Sequence, residues 1–207
     1  MKTVLVTQRV SIDSKSGERR DALDQAWQRF LERCDLVALP VPNQLHAAEH
    51  LLGTVAHVGV LLTGGNDLAC VGGDAPERDA VEASLVEHAR ASHLPVLGVC
   101  RGMQFLIAHF GGELERVDGH AGTAHSISLE SASRSVNSYH MFGSRSLPAE
   151  LVVTARAEDG VVEAMRHRNF AMCGTMWHPE RENPAHADDI AMFRRWFGTS
   201  SSATGRK

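Results

Sequence analysis

The run Leu94-Pro-Val-Leu-Gly-Val-Cys-Arg-Gly-Met-Gln-Phe-Leu-Ile-Ala-His-Phe110 constrains the chain more than any other stretch. Pro95 to Val99 is short, apolar and rich in branched residues, which predicts a buried parallel strand. Arg101 to Phe110 is a longer apolar stretch closed by Gly111-Gly112, which predicts a buried helix with a glycine stop. Only Cys100 separates the two, with Gly98 and Gly102 two residues to either side. A strand that turns sharply into a helix and presents one side chain at the corner is a nucleophile elbow. The corner lifts the sulfur above the sheet and sets it at a helix N-terminus, where the dipole favours thiolate. The Arg101 backbone N–H then points to where an oxyanion would form. Packing alone gives no reason for a glycine on each side, so Cys100 reads as reactive. Cys34 and Cys173, on apolar segments, read as packing residues.

The rest of the chain fits round this corner. Thr3 to Thr7 reads as a buried strand, and polar Gln8 to Arg20, with Arg9, Arg19 and Arg20, as a loop. Leu23, Ala26, Trp27, Phe30, Leu31 and Cys34 mark one helix face. Leu36 to Leu39 predicts a second strand ended by Pro40 and Pro42, and Leu45 to Leu52 a weaker helix. Val58 to Leu62 predicts a third strand running into Thr63-Gly-Gly-Asn-Asp67, and Leu68 to Ala75 a loop. Pro76 to His93 then reads as a helix offering Ala80, Ala83, Leu85, Val86 and Ala89 to the sheet. This alternation implies a parallel sheet with helices on both faces. Such sheets bind ligands at the carboxyl ends of their strands, which brings Gly64-Gly65 to Cys100. After Gly112 the texture becomes strand-like over Glu113–Val117, His125–Leu129, Leu151–Ala157, Val161–Arg166 and Phe170–Trp177, with Asp159-Gly160 as a hairpin turn. Asn183 and Pro184 predict the cap and first turn of a closing helix. The expected fold is therefore α/β, a mostly parallel central sheet with a small antiparallel extension. It forms one domain over 1–198, followed by a disordered tail over 199–207.

Length and charge narrow the function. A chain of 207 residues suits one domain with a sizeable core. The net charge of −4 points to neither nucleic acid nor an acidic membrane as partner. The first apolar run is too short for a signal peptide, and no later run approaches a membrane span. Four cysteines without a secretion signal predict reduced thiols and a cytoplasmic protein.

A cysteine nucleophile needs a base and a group to orient that base. His178 and Glu180, at the end of the last predicted strand, supply both, because residues two apart in an extended segment share a side. Adjacent Gly64 and Gly65 let backbone N–H groups approach a ligand, with the Gly65 N–H facing that of Arg101 across Cys100. A phosphate cradle is the rival reading of this loop, but it lacks the Gly-Lys-Ser/Thr ending. His120 and His125 could share a metal, yet no partner ligand stands at a zinc-like spacing, so no metal is assigned.

Leu-Thr-Gly-Gly, Gly-Val-Cys-Arg-Gly-Met-Gln and Trp-His-Pro-Glu together resemble the class I glutamine amidotransferase superfamily, with its flavodoxin-like fold. Val136-Asn-Ser-Tyr-His140 and Arg101 are most similar to its γ-glutamyl hydrolase branch. The resemblance implies a triad of Cys100, His178 and Glu180, and oxyanion N–H groups from Gly65 and Arg101. It also implies that Gly64, Gln104, Asn137, Ser138, Tyr139 and His140 line the γ-glutamyl site, with no cofactor. Thr7-Gln8-Arg9, Gly-Gly-Asn-Asp-Leu68 and Asn-Ser-Tyr-His resemble a short bacterial subgroup that includes γ-glutamyl-CDP-amidate hydrolase, an enzyme that splits a γ-glutamyl phosphoramidate. Arg9 follows the first strand and so belongs at the sheet edge of Cys100, with Arg19 and Arg20 just beyond. Arg9, helped by Arg20, is expected to hold a phosphate on the leaving group. γ-Glutamyl-aminobutyrate hydrolases usually carry a second histidine and a glutamine where this chain has Met141 and Phe142. The implied activity is hydrolysis of a γ-glutamyl amide through a γ-glutamyl thioester. A glutaminase subunit feeding ammonia to a separate synthetase, a γ-glutamyl-aminobutyrate-type hydrolase and a non-enzymatic binding protein are the alternatives left open, as is assembly into a homodimer.

Overall fold

The computed structural model describes residues 1–129 and 132–199. The first half of the chain gives β1 (Lys2–Thr7), β2 (Arg9–Ile12), β3 (Arg19–Ala22), α1 (Gln25–Arg33), β4 (Leu36–Val41), α2 (Leu45–Thr54), β5 (Val60–Leu62), α3 (Pro76–Ala91), β6 (Val96–Val99) and α4 (Arg101–His109). The second half gives β7 (Glu115–Arg116), β8 (Ala121–Leu129), β9 (Ser133–Tyr139), β10 (Phe142–Gly143), β11 (Leu151–Ala157), β12 (Val162–His167), β13 (Met172–Thr175) and α5 (Ala187–Trp196).

A nine-stranded sheet runs β4-β1-β5-β6-β13-β12-β11-β8-β9. From β4 to β13 the neighbours are parallel, and from β13 to β9 they are antiparallel. The parallel strands are apolar on both sides because helices cover both faces. Val4, Val6, Leu61, Leu97 and Val99 pack on Trp27 and Phe30 of α1 and on Phe193 of α5. Leu5, Val60, Leu62 and Val96 pack on the other face, against Ala48 of α2, Val81 and Leu85 of α3, and Met103 and Leu106 of α4. The mixed sheet with its antiparallel extension agrees with the sequence reading.

Three local differences have physical causes. Gln8 to Arg20 is not a loop but the hairpin β2–β3, pairing Arg9 with Ala22 and Ser11 with Arg20. Asp13 caps its turn by accepting from the Ser16 backbone N–H at 2.8 Å. Strand β4 continues through Pro40 because it is an edge strand, where a missing N–H is tolerated. Helix α5 begins only at Ala187, where the His186 side chain accepts from the Asp188 N–H, so Asn183 and Pro184 lie upstream of it. The expected tail falls outside the described residues from 200 onward, while Thr199 donates to the Cys34 carbonyl at 2.7 Å. Among the described residues, no helix is long and apolar enough to cross a membrane.

Candidate active site

The strand-to-helix corner forms where two backbones come too close for side chains. A Cβ on Gly98 would stand 2.5 Å from the Gly102 carbonyl, and one on Gly102 would stand 2.2 Å from the Leu62 carbonyl oxygen. Between these glycines Cys100 takes φ 52° and ψ −107°, a conformation that L residues rarely adopt. Its N–H donates to the Thr175 carbonyl at 2.7 Å, which pins the corner to β13. The Arg101 N–H opens α4 and, as the first amide of a helix, has no partner within it.

The continuation of β13 brings His178 to the same edge. Its Nδ1 lies 2.7 Å from Glu180 Oε1, and both side chains are buried. Burial opposes a charge on this imidazole. Hydrogen bonds to Cys100 and Glu180, with their charges, outweigh burial and raise its pKa to about 9. Gly64 closes the group from the opposite loop: a Cβ there would fall 2.6 Å from His178 Cε1 and 3.6 Å from Cys100 Cβ. Burial pushes the Cys34 thiol up to about 12 and raises that of Cys173. Both are thus held protonated, as packing residues should be.

The remaining expected residues divide. Gly65 has φ +88°, and a Cβ on it would stand 3.0 Å from Arg9 Nε. The Asn66 side chain fixes this overlap, accepting from the Val10 N–H at 2.8 Å and donating to its carbonyl at 2.9 Å. Arg9, Gly64, His178 and Arg181 line one small cavity of about 10 Å³. Arg19 is instead engaged by Glu77 and the Asp74 carbonyl, and Arg20 by Glu18. Asn137 grips the His178 backbone, accepting from its N–H at 2.8 Å and donating to its carbonyl at 2.9 Å. Tyr139 meets the His178 ring edge-on at 5.6 Å and carries the Arg181 guanidinium over its own face. Gln104 donates to the Phe142 carbonyl at 2.7 Å, and Ser138 to the His120 carbonyl. His140 does not join His178. Its Nδ1 lies 3.1 Å from the Phe142 carbonyl and its Nε2 faces Glu163.

The helical face assigned to α3 missed the residues that hold the glycine loop. Ala80 is exposed, and the buried face carries Arg78 and Glu82 beside Val81, Leu85, Val86 and Ala89. Arg78 donates to three loop carbonyls, Thr63 at 2.7 Å, Gly64 at 3.1 Å and Gly65 at 2.9 Å. Turning those carbonyls toward α3 leaves the opposite side of the loop to its amides. Glu82 accepts from Arg78 at 3.0 Å and pairs with Arg101, whose other amino group pairs with Asp79. Burial disfavours the Glu82 carboxylate, but the two guanidiniums outweigh it and hold its pKa below the ordinary range. The 78, 82, 85, 89 spacing was the available signal, because it places both charges on the apolar side.

The class I glutamine amidotransferase domain matches residues 40–196, most of the chain. This chain belongs to that family. It is 28% identical over 199 residues to a γ-glutamyl-CDP-amidate hydrolase of Campylobacter jejuni, covering 93% of this chain and 96% of that one. It is also 29% identical over 149 residues to a γ-glutamyl-γ-aminobutyrate hydrolase of Escherichia coli, covering 57% and 58% of the two chains. One of the subunits of the glutamine-hydrolysing GMP synthase of Thermococcus kodakarensis is 28% identical over 173 residues, 78% and 86% of the two chains. The crystal structure of a protein described as a GMP synthase subunit, from Thermoplasma acidophilum, superposes with a TM-score of 0.71 at 19% identity. It covers 96% of this chain and 93% of that one, and shows the shared fold.

Glu82→Gln keeps the volume and removes the charge between two buried guanidiniums. Breaking such a pair should destabilise the fold by roughly 3–5 kcal/mol, against about 0–1 kcal/mol for Glu87→Gln in an exposed pair with Arg90. Urea unfolding measures both; equal losses would remove the buried network from its structural role.

Proposed function

We propose that the chain hydrolyses a γ-glutamyl amide through Cys100, His178 and Glu180. The observation that carries this reading is the buried His178, hydrogen-bonded to Glu180 at 2.7 Å and gathered round Gly64 with a cysteine held at a strained corner. The relatives named for γ-glutamyl amide hydrolysis support the substrate class.

In the proposed reaction the Cys100 sulfur attacks the γ-carbonyl carbon while the thiol proton resides on His178. The N–H groups of Gly65 and Arg101 hold the resulting oxyanion, and loss of one such donor costs about 10²–10³ in rate. His178 returns the proton to the leaving nitrogen as the C–N bond breaks, leaving a γ-glutamyl thioester. The neutral imidazole then takes a proton from water. Hydroxide displaces sulfur, and glutamate leaves with Cys100 restored. Glu180 orients the ring and stabilises its charged form without accepting the proton.

The second reading, a glutaminase subunit supplying ammonia to a separate synthetase, draws on the similarity to the GMP synthase of Thermococcus kodakarensis. Arg9 favours the hydrolase of a phosphorylated γ-glutamyl compound. Its guanidinium sits on Gly65 at the edge of the site, and arginine binds phosphate through two N–H groups at once.

A screen of γ-glutamyl amides for glutamate release tests the reaction. Wild type should turn over at least one, and Cys100→Ala none. The elevated pKa keeps His178 charged at neutral pH, so kcat/KM should fall as pH rises through about 9. Glu180→Gln should move that limb to lower pH. A limb unmoved by the substitution would remove His178 and Glu180 from the titrating unit.

Arg9→Ala should depress kcat/KM for a γ-glutamyl phosphoramidate nucleotide by roughly 1.5–3 kcal/mol and leave plain glutamine nearly unchanged. An equal loss on both substrates would assign Arg9 to the scaffold or to the glutamyl half.

A further inference from the structure

A second polar cluster lies in the antiparallel half of the sheet, outside the site just described. His120 precedes β8, His125 lies within it, His140 follows β9, and Glu163 is on β12. Glu163 is 0% exposed, His140 3% and His120 4%, and His125 is half-buried. Glu163 Oε1 stands 3.2 Å from His120 Nδ1, 3.3 Å from His125 Nε2 and 3.3 Å from His140 Nε2. None of these contacts is aligned as a hydrogen bond. The three ring nitrogens and both Glu163 oxygens have no hydrogen-bonding partner among the described residues.

The outer nitrogens determine what the inner ones present. His120 Nε2 lies 3.2 Å from Asp159 Oδ2, and His140 Nδ1 lies 3.1 Å from the Phe142 carbonyl. A carbonyl oxygen only accepts, and so does an ionised carboxylate, so both ring nitrogens carry the proton. In the neutral rings the lone pairs of His120 Nδ1 and His140 Nε2 are then aimed at a buried carboxylate oxygen. Lone pairs facing an anion out of reach of water repel it, unless a cation stands among them.

The distances specify the cation. Metal–ligand bonds of about 2.0–2.1 Å at tetrahedral angles set neighbouring ligand atoms about 3.3 Å apart. His120 Nδ1 and His125 Nε2 each lie about one such edge from Glu163 Oε1, and the ligand atoms of these three residues all lie within 4.8 Å of one another, close enough to share one ion. The proton of each ligating ring held by a carboxylate or a backbone carbonyl is the usual outer support of a metal-bound histidine. We propose that His120, His125 and Glu163 bind a zinc ion that ties β8 to β12, with His140 Nε2 facing the same carboxylate.

His120 and His125 alone fall short of a site in sequence, because their partner Glu163 arrives from β12. The ion would lock the β8–β9 hairpin to β12, next to β13. That hairpin carries Asn137 and Tyr139 onto His178, so the metal would hold them in place without touching the reaction. His140, which faces Glu163 and not His178, then borders the metal site instead of contacting the γ-glutamyl group.

The test uses the full chain, purified without an affinity tag and freed of loose metal. Elemental analysis should find about one zinc per chain. The protein stripped of zinc should take up Co²⁺ with the intense visible absorption of a tetrahedral complex. Glu163→Gln and His125→Ala should each lower zinc affinity by about 100-fold or more in competition with a chromogenic chelator, while Cys100→Ala retains the wild-type value. Wild-type protein that holds no zinc and gives no tetrahedral Co²⁺ spectrum would overturn the proposal, and this result needs no variant to fold. Unchanged affinity in the Glu163→Gln and His125→Ala proteins would overturn it as well.

Discussion

Backbone contact between β6 and α4 governs the architecture round the site. Gly98 and Gly102 meet without side chains, and the Leu62 carbonyl of β5 fills the space that a Cβ on Gly102 would need. Two neighbouring strands, β5 and β6, and helix α4 thus converge on one point. A residue between them can connect strand to helix only through a left-handed backbone, and Cys100 adopts it. Such a conformation typically costs about 1–3 kcal/mol and persists where its surroundings over-determine it. Here the Thr175 carbonyl, the glycine contacts and the apolar packing of Leu97 and Val99 together do so.

Charge buried on α3 is the second element of the design. Arg78 holds the carbonyls of Thr63, Gly64 and Gly65, and Glu82 couples it to the side chain of Arg101. The residue whose amide follows the cysteine and the loop that faces it are therefore anchored to the same carboxylate. Desolvating these charges works against stability, and only mutual pairing offsets it. The antiparallel half of the sheet contributes from the other side, through the hold of Asn137 on the His178 backbone. The site is thus assembled from both halves of one sheet.

Much of this was legible in the sequence because it follows local rules. The elbow was readable from two glycines and a change of period. The parallel strands were readable from their branched apolar runs; His178 and Glu180 do pair, but through a 3₁₀ turn over Pro179–Arg181 and not the extended segment expected. What escaped depends on distant partners. Arg78 and Glu82 are not singled out in sequence, because their partners, the loop carbonyls and Arg101, are brought to them only by the fold. The hairpin β2–β3 is polar on most of its surface and reads as a loop until Asn66 pairs with Val10. Strand β9 was visible only as a motif, since its polar Asn137 and Ser138 have inward roles that alternation does not disclose.

The central claim is that Cys100 and His178 act as one proton-sharing unit, and it can be measured without knowing the substrate. Iodoacetamide labelling at neutral pH, followed peptide by peptide, compares all four cysteines in one sample. The account predicts that Cys100 reacts faster than exposed Cys70 despite its burial, and that buried Cys34 and Cys173 stay unlabelled. It also predicts that His178→Ala slows Cys100 alone. Labelling of Cys100 no faster than that of Cys70, and unchanged by His178→Ala, would contradict it.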